Sequence, residues 1–305
     1  MYYWRTTLSW NAAEQAWADS MKVETLYLRL FDVVEDKGEP SLGMRPEASL
    51  RMEDERIAKG LLQRFQRVVP VVFLSPGILG AANADKASSL AELVVKRIDQ
   101  MTEKFGMGRC PEVQIDYDWT RSNQAVYFRM LQHMADALHK QGRQLSTTIR
   151  LHQLGMETPP VDRGVLMCYN TGRIQDPDEQ NSILSTESVA PYLRYLKDYP
   201  LPLVLALPQF GWNLVFHQRQ FCFIAPGLCL SDTSQFQRID ATHYRALVYQ
   251  AVPGAASATS QSTQRVYPGD IIRREDSSDS LNNVILNQLR DLRPGIAEEV
   301  VYYRN

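Results

Sequence analysis

The sequence lacks the features that mark membrane-spanning and nucleic-acid-binding proteins. Its longest apolar runs, VVPVVFL (68–74) and LPLVLALP (201–208), are far shorter than the roughly 20 residues that cross a bilayer, so no transmembrane segment is predicted. The formal net charge is -2, and no cluster of Lys and Arg provides the basic surface that nucleic acid requires. We therefore expect no nucleic-acid partner.

Metal and redox chemistry also have little support. The 305 residues include four cysteines but no CxxC, and no two histidines are spaced as i and i+4. Cys110 and Cys168 lie beside or within predicted strands and are interpreted as small core residues. Cys222 and Cys229 would pair only in a secreted protein. We expect no metal site and no cofactor.

What the sequence does contain is a regular alternation of strand-like and helix-like segments. Runs rich in β-branched and aromatic residues are separated mostly by helical patterns, which favours a parallel sheet. Apolar residues at helical spacing predict helices over 90–105 and 127–138, and Gly106 and Gly142 follow as stop signals. The predicted strands are 2–6, 26–33, 68–75, 113–118, 144–149, 165–170, 203–209 and 299–303.

Eight strands with intervening helices predict an α/β protein with a (β/α)8 TIM barrel. An open doubly wound sheet fits less well, because no GxGxxG follows the first strand. The last strand lies at the end of the sequence, so it would close the barrel without a final helix. We expect one domain over 1–305. The pattern breaks over 212–276, which we interpret as an insertion over the barrel top, with a helix near 241–252 and a mobile loop over 253–264.

The stretch VQIDYDWT (113–120) carries the strongest functional signal. Because alternate residues of a barrel strand face inward, Gln114, Asp116 and Asp118 are predicted to point into the barrel while the residues between them pack on helices. Two carboxylates at i and i+2 lie roughly 6 to 7 Å apart, near the strand end where barrel enzymes build catalytic groups. The alternative is that Asp116 is a structural acceptor and Asp118 a capping residue, with Thr120 or Ser122 as the N-cap of the next helix.

This stretch resembles the fourth-strand signature, DxxDxDxE, of family 18 glycoside hydrolases, the chitinase-like barrels. Asp116 and Asp118 match its second and third acids and Trp119 its usual aromatic, whereas Val113 replaces the first Asp and Thr120 the glutamate. VLMCYN (165–170) and LALPQFGWN (205–213) resemble the sixth and seventh strands of that family. A QxDxD strand makes the chain similar to uncharacterised bacterial proteins of the DUF3142 type, which is the nearer likeness.

The resemblance implies a carbohydrate-acting barrel with an oligosaccharide or polysaccharide as its partner. In the chitinase-like enzymes the glutamate protonates the glycosidic oxygen while the acetamido group of the substrate attacks the anomeric carbon. By resemblance, Asp118 would orient that acetamido group, Asp116 would support it electrostatically, and Tyr169 would donate a hydrogen bond to its carbonyl. Such proteins are often exported, so we expect a periplasmic or cell-surface location.

The first ten residues do not resemble the signal peptide that an exported protein carries. MYYWRTTLSW has no basic region followed by an apolar stretch, so no signal peptide is recognised. We expect either a cytoplasmic protein or one whose leader is not part of this sequence. The oligomeric state cannot be predicted.

The missing glutamate leaves the general acid open. A Thr hydroxyl has no accessible acidity near neutral pH, so Thr120 cannot act as the proton donor. Asp32, at the end of the second strand, is the preferred substitute, although it is as well explained as a turn or capping residue; Glu157 is another candidate. Alternatively, Asp118 is itself the acid, with a pKa raised by Asp116 and by burial. An atypical hydrolase, a glycan-binding barrel without catalysis and unrelated TIM-barrel chemistry all remain open.

Aromatic and polar residues at predicted strand ends favour a groove of carbohydrate size. No Gly-rich phosphate loop is found. Arg5, Arg150 and Arg304 lie at strand ends and make a charged glycan possible, and His152 is either polar lining or a surface residue. The predicted substrate contacts are Trp4, Trp119, Arg150, Tyr169, Asn170, Gln209, Trp212 and Tyr303.

Overall fold

The computed structural model describes residues 1–36, 43–108, 110–252, 264–296 and 298–304. The chain forms two compact units. The first comprises Met1–Met167, Arg194–Ala206 and Leu292–Asn305, and the second comprises Cys168–Leu193 and Leu207–Asp291. The predicted insertion over 212–276 falls within the second unit. Its position over the barrel top, like the single-domain organisation, stays a prediction.

Strands and helices are numbered along the chain. The strands are β1 Tyr2–Tyr3, β2 Thr25–Glu35, β3 Met44–Glu47, β4 Arg67–Leu74, β5 Glu112–Asp116, β6 Gln144–Arg150, β7 Arg163–Met167, β8 Leu203–Pro208, β9 Gly211–His217, β10 Gln220–Ile224, β11 Phe236–Arg238, β12 His243–Ala246, β13 Gln250–Val252, β14 Gln264–Val266, β15 Ile271–Asp276 and β16 Val300–Tyr303. The α-helices are α1 Ala12–Ser20, α2 Glu55–Leu62, α3 Ala87–Lys104, α4 Gln124–His139, α5 Thr186–Val189, α6 Leu193–Leu196 and α7 Asp279–Leu292. Short 3-10 helices cover Ala81–Lys86, Leu151–Gly155 and Ala190–Tyr192.

The first unit is built on a closed barrel of eight parallel strands. Their order is β1-β16-β8-β7-β6-β5-β4-β2, and pairing of β1 with β2 closes the ring. The extra strand β3 pairs antiparallel with β2 outside the ring. The predicted TIM barrel is confirmed, and each of the eight predicted strands corresponds to one strand of the ring.

The two predicted helices are also confirmed, as α3 and α4. Each presents an apolar stripe to the core, and each is followed by a glycine, Gly106 or Gly142, with a φ of +66°. Such a left-handed residue ends a helix at little cost only when it has no side chain. The helix α7 was not predicted.

The second unit contains a five-stranded antiparallel sheet, β10-β9-β15-β12-β11, and the separate hairpin β13-β14. The helix predicted near 241–252 is wrong, because strands β12 and β13 occupy this segment. β12 hydrogen-bonds to β11 and β15 on its two sides, and its Ala246 joins the core of this unit. Strand pairing and burial thus override the local pattern. The predicted mobile loop, except for Gln264 at the start of β14, lies outside the described residues.

Strand β5 shows how the barrel interior is filled. Its alternate residues Glu112, Gln114 and Asp116 are buried, and they lie at the amino end, the middle and the carboxyl end of the barrel. Gln114 accepts a hydrogen bond of 2.7 Å from the Tyr2 hydroxyl. Tyr117 points the other way, with its ring 5.0 Å from that of Tyr127 on α4. The predicted inward positions of Gln114 and Asp116 and the outward position of Tyr117 are confirmed.

Candidate site at the carboxyl end of the barrel

Asp116 is the anchored carboxylate of the candidate site. It ends β5 with only 4% of its surface exposed, and one of its oxygens accepts hydrogen bonds from Thr148 Oγ1 at 2.6 Å and Arg150 Nη1 at 2.7 Å. Both partners come from β6, which pairs in parallel with β5 and so presents its alternate side chains beside those of β5. The charge of Asp116 is therefore compensated within the barrel.

Asp118 lies two residues beyond the end of β5 and is far more accessible. Its side chain is 53% exposed, and it accepts a hydrogen bond of 3.2 Å from Gln153 Nε2. His152 Nε2 lies 3.7 Å and Arg150 Nε 3.9 Å from the same carboxylate oxygen. A ligand can thus reach Asp118, and a half-exposed imidazole lies beside it.

Asp32, predicted as a substitute acid, is held in a bidentate ion pair. Arg29 Nε donates to one carboxylate oxygen at 2.7 Å, and Arg29 Nη2 donates to the other. Arg29 also donates to the carbonyl oxygen of Trp4 at 3.0 Å. Because both oxygens accept from a permanent cation, the arrangement favours a fixed carboxylate over a proton donor. Glu157, the other predicted substitute, is exposed and accepts a hydrogen bond of 2.7 Å from Gln124.

Three partly exposed aromatic rings lie among these charged groups. The Trp4 ring meets those of Phe73 and Tyr303 edge-on, with centroids 6.3 and 6.4 Å apart. Phe73 pairs in register with Asp32 on one side and Asp116 on the other, so the two acids are separated by two strand spacings, roughly 10 Å between Cα atoms. Burial raises the pKa of Tyr303, and the charge of Asp116 adds to this effect.

Trp119 and Thr120 depart from the predicted roles. Trp119 is fully buried, with its ring 5.5 Å from that of Tyr127 on α4, so it packs in the core rather than lining a groove for sugar. Thr120 is exposed, and its hydroxyl hydrogen-bonds to that of Ser122 at 2.8 Å. The predicted N-cap at Thr120 or Ser122 is wrong, because Asn123 is the N-cap of α4; its Oδ1 instead accepts from the Thr120 amide at 2.8 Å.

The other predicted contact residues belong to the second unit. Tyr169 is buried with its ring edge-on to that of Phe210, while Asn170 is exposed with a φ of +53°. Gln209 donates to Asp279 at the start of α7 at 2.8 Å. Trp212 donates its indole N–H to a carboxylate oxygen of Glu275 at 2.7 Å and is partly exposed. Tyr169, Gln209 and Trp212 have these partners within their own unit. The contact of all four residues with a sugar stays a prediction.

Sequence reasoning missed several residues that build the site. Arg29 and Phe73 lie within apolar runs whose sequence predicts a buried strand and nothing more. Thr148 lies within a strand that is rich in polar residues. A signal was available in the period-2 alternation of each strand, since Phe73, Asp116 and Thr148 all take inward positions at the same level of the barrel. Gln153 lies on a short 3-10 helix that the sequence pattern did not predict.

Among the described residues, no group of three or more His, Cys, Asp or Glu side chains could hold a metal ion, and no helix is long and apolar enough to cross a membrane. The four cysteines are free thiols. Burial raises the pKa of Cys168 to about 12 and that of Cys110 to about 11, as expected for core residues. Cys222 and Cys229 are exposed.

The fold is similar to that of two solved chitinases and a spore cortex-lytic enzyme. A chitinase from Chromobacterium violaceum aligns with a TM-score of 0.58 and 13% identity, over 99% of this chain and 93% of that one. The spore cortex-lytic enzyme SleL from Bacillus cereus gives 0.55 and 14%, over 99% of this chain and 69% of that one. A class V chitinase from Nicotiana tobaccum gives 0.50 and 14%, over 94% and 88%.

The structural alignments establish a shared barrel fold. No protein-family model and no curated protein sequence matches the chain. The likeness to the DUF3142-type proteins therefore stays a prediction.

Proposed function

We propose that the protein binds an oligosaccharide at the carboxyl end of its barrel. The observation that carries this proposal is the set of partly exposed rings of Trp4, Phe73 and Tyr303 lying among charged groups. Sugars present apolar C–H faces and hydroxyl edges, so rings that stack and carboxylates that accept hydrogen bonds recognise them together. The similar solved structures, named as chitinases and a spore cortex-lytic enzyme, support the same class of ligand.

In this proposal Asp118 is the carboxylate that meets the ligand. Its exposed oxygen accepts from sugar hydroxyl or amide donors, while Asp116 holds Arg150 in place beneath it. Carboxylate acceptors form stronger hydrogen bonds than neutral ones, so Asp118 contributes to affinity as well as to orientation.

Hydrolysis is the second candidate function, and the contact between His152 and Asp118 favours it. An imidazole can donate or accept a proton near neutral pH, whereas the Thr120 hydroxyl cannot. In such a reaction the His152 imidazolium passes its proton to the glycosidic oxygen as the C–O bond breaks. Water then adds to the anomeric carbon and returns a proton to the imidazole. The ion pair of Asp32 with Arg29 weighs against Asp32 in this role.

The two candidates are separated by incubating the protein with a mixed oligosaccharide panel that includes N-acetylglucosamine oligomers, followed by mass spectrometry. Wild type, Asp118→Asn and His152→Gln are compared. Shorter products from wild type that are reduced in both variants support hydrolysis. Binding without new products supports a glycan-binding barrel. If no sugar in the panel is bound or cleaved, the proposed function is wrong.

A further inference from the structure

An irregularity in strand β2 brings two charged residues to the same side of the strand. Residues at i and i+3 of a regular strand point to opposite faces, so Arg29 and Asp32 would not meet there. The register of β2 against β4 shifts by one residue between Arg29 and Phe31. The extra residue, Leu30, places Asp32 on the side of Arg29, where the two side chains form their ion pair. Such bulges re-aim side chains and are over-represented next to active sites.

The guanidinium of Arg29 is fixed by three acceptors. Its Nε and Nη2 donate to the two carboxylate oxygens of Asp32, and its Nη1 donates to the carbonyl oxygen of Trp4 at 3.0 Å. The side chains of Arg29 and Asp32 are only 12% and 13% exposed, so dissolved salt screens this pair little. The cation therefore has a defined position at the carboxyl end of the barrel.

The same guanidinium lies over the ring of Trp4. Its Cζ atom is 5.5 Å from the ring centroid, within the distance at which a cation is attracted to the face of an indole. Tyr2 meets this indole edge-on, with centroids 6.1 Å apart. Arg29 thus holds Trp4 both at its main chain and at its side chain.

We propose that Arg29 is a positioning residue for sugar binding: it orients the Trp4 indole so that the face opposite the guanidinium stacks on the sugar. This inference rests on the proposed function. A side chain that is ordered before the ligand arrives loses no further freedom on binding, which makes the complex tighter. Asp32 then acts indirectly, because its carboxylate holds Arg29 and does not meet the sugar.

The test is a double-mutant cycle between Arg29 and Trp4. Arg29→Lys keeps the charge, but a compact ammonium cannot reproduce the planar fork that binds Asp32 and the Trp4 carbonyl oxygen together. Affinity for N-acetylchitohexaose is measured by calorimetry for wild type, Arg29→Lys, Trp4→Leu and the variant with both substitutions. Arg45→Lys is the matched control, because Arg45 is 48% exposed and pairs with Glu47 at 2.7 Å on β3.

We expect Arg29→Lys to weaken binding about fivefold in the presence of Trp4 and to have no further effect in Trp4→Leu, where no indole remains to be oriented. Arg45→Lys should bind as wild type does. An equal loss with and without Trp4 means that Arg29 acts on the sugar directly or on the whole fold. That result overturns the positioning role and leaves the proposed function intact. If wild type binds no sugar, the proposed function is wrong and the positioning role falls with it.

A second substitution keeps the test decisive if Arg29→Lys does not fold, which urea unfolding of each variant shows. Asp32→Asn offers Arg29 one acceptor oxygen instead of two, so it loosens the guanidinium without changing Arg29 or Trp4. Its loss of affinity should also disappear in Trp4→Leu. A loss that persists in Trp4→Leu would contradict the indirect role of Asp32 and the proposal with it.

Discussion

Both ends of the barrel contain acids paired with arginines, but only the carboxyl end also has an exposed acid. At the amino end, Arg163 pairs with Glu112 at 2.8 Å and with Glu299 at 2.9 Å, and Arg67 pairs with Glu299 at 2.7 Å. Two cations and two anions thus neutralise one another, and the Glu112 side chain is only 1% exposed. At the carboxyl end, by contrast, the Asp118 side chain is 53% exposed.

Strand β5 carries a carboxylate to each end, because Glu112 and Asp116 are inward residues of the same strand. Glu112 and Asp116 are both buried and paired with arginines, whereas Asp118, two residues beyond the strand, is exposed. An acid that follows the carboxyl end of the strand is therefore more accessible than the acids within it. In TIM barrels generally, the amino-terminal face contributes stability and the carboxyl-terminal face carries function. The predictions below test whether this division holds here.

Removing Glu112 should produce the largest effect. Glu112→Ala leaves Arg163 partly unpaired inside the barrel, and breaking a buried ion pair in this way costs about 3 to 5 kcal/mol of unfolding free energy. Urea denaturation measures this loss. Asp118→Asn, at the other end, is the matched control and should change the unfolding free energy by no more than about 0.5 kcal/mol. Similar losses in both variants would contradict the proposed division.

Asp116 belongs to the carboxyl end but is buried, so its substitution should affect both properties. Asp116→Asn weakens the hydrogen bonds from Thr148 and Arg150 and should lower the unfolding free energy by about 2 kcal/mol, the typical contribution of a bond to a charged group. It should also weaken sugar binding, because Arg150 loses its anchor. Thr148→Val, which removes one neutral donor, should cost less. If Asp116→Asn binds the sugar as tightly as wild type, Asp116 contributes to stability and not to ligand binding.

Substitution of two tryptophans distinguishes a residue at the carboxyl end of the barrel, Trp4, from one in the core, Trp119. Trp4→Leu should reduce affinity for an oligosaccharide about tenfold, since stacking on an aromatic ring contributes about 0.5 to 1.5 kcal/mol beyond its area. Trp119→Phe keeps a large ring against α4 and should leave affinity unchanged. Calorimetric titration with N-acetylchitohexaose measures both. A larger loss in Trp119→Phe than in Trp4→Leu would restore the sugar contact predicted from the sequence.

The smallest expected effect concerns pH. Burial alone would raise the pKa of Glu299, but the charges of Arg163 and Arg67 outweigh it and hold the pKa below its ordinary value of 4.5. The unfolded chain therefore takes up this proton first as pH falls. The stabilisation is complete above about pH 4.5 and is lost as pH falls through the lowered pKa.

Glu299→Gln should consequently lose stability relative to wild type at neutral pH and approach it in acid. Thermal unfolding between about pH 3 and 7 follows the difference. Glu298→Gln, at the exposed neighbouring position, should show no such convergence. A constant difference between Glu299→Gln and wild type across this range would exclude the proposed origin of the shift.

The barrel could be predicted from the sequence because its strands are short apolar runs, and the amphipathic helices between them end at clear stop signals. Burial on both faces imposes that pattern residue by residue. The helix predicted near 241–252 failed for the complementary reason: β12 and β13 are short antiparallel strands whose burial depends on partners far away in the sequence.

Only part of the candidate site could be predicted from the sequence. The inward alternation identified Asp116, but it could not show that Arg150 would neutralise this acid or that Arg29 would occupy both oxygens of Asp32. Trp119 was misjudged because an aromatic residue near a strand end has the same sequence pattern whether it faces the groove or α4. The pairing of Arg150 with Asp116 arises from register between β6 and β5, which one strand's sequence does not contain. Arg29 and Asp32 lie on the same strand, β2, where an irregularity between Arg29 and Phe31 interrupts the two-residue alternation.

The most direct test of the carbohydrate site is the affinity for N-acetylchitohexaose of wild type and Asp118→Asn, measured by calorimetry alongside their urea unfolding. We predict that wild type binds, that Asp118→Asn binds at least about tenfold more weakly, and that the two unfold at the same urea concentration. Equal affinities with equal stability would show that Asp118 does not contact the sugar and would contradict a ligand site at this end of the barrel.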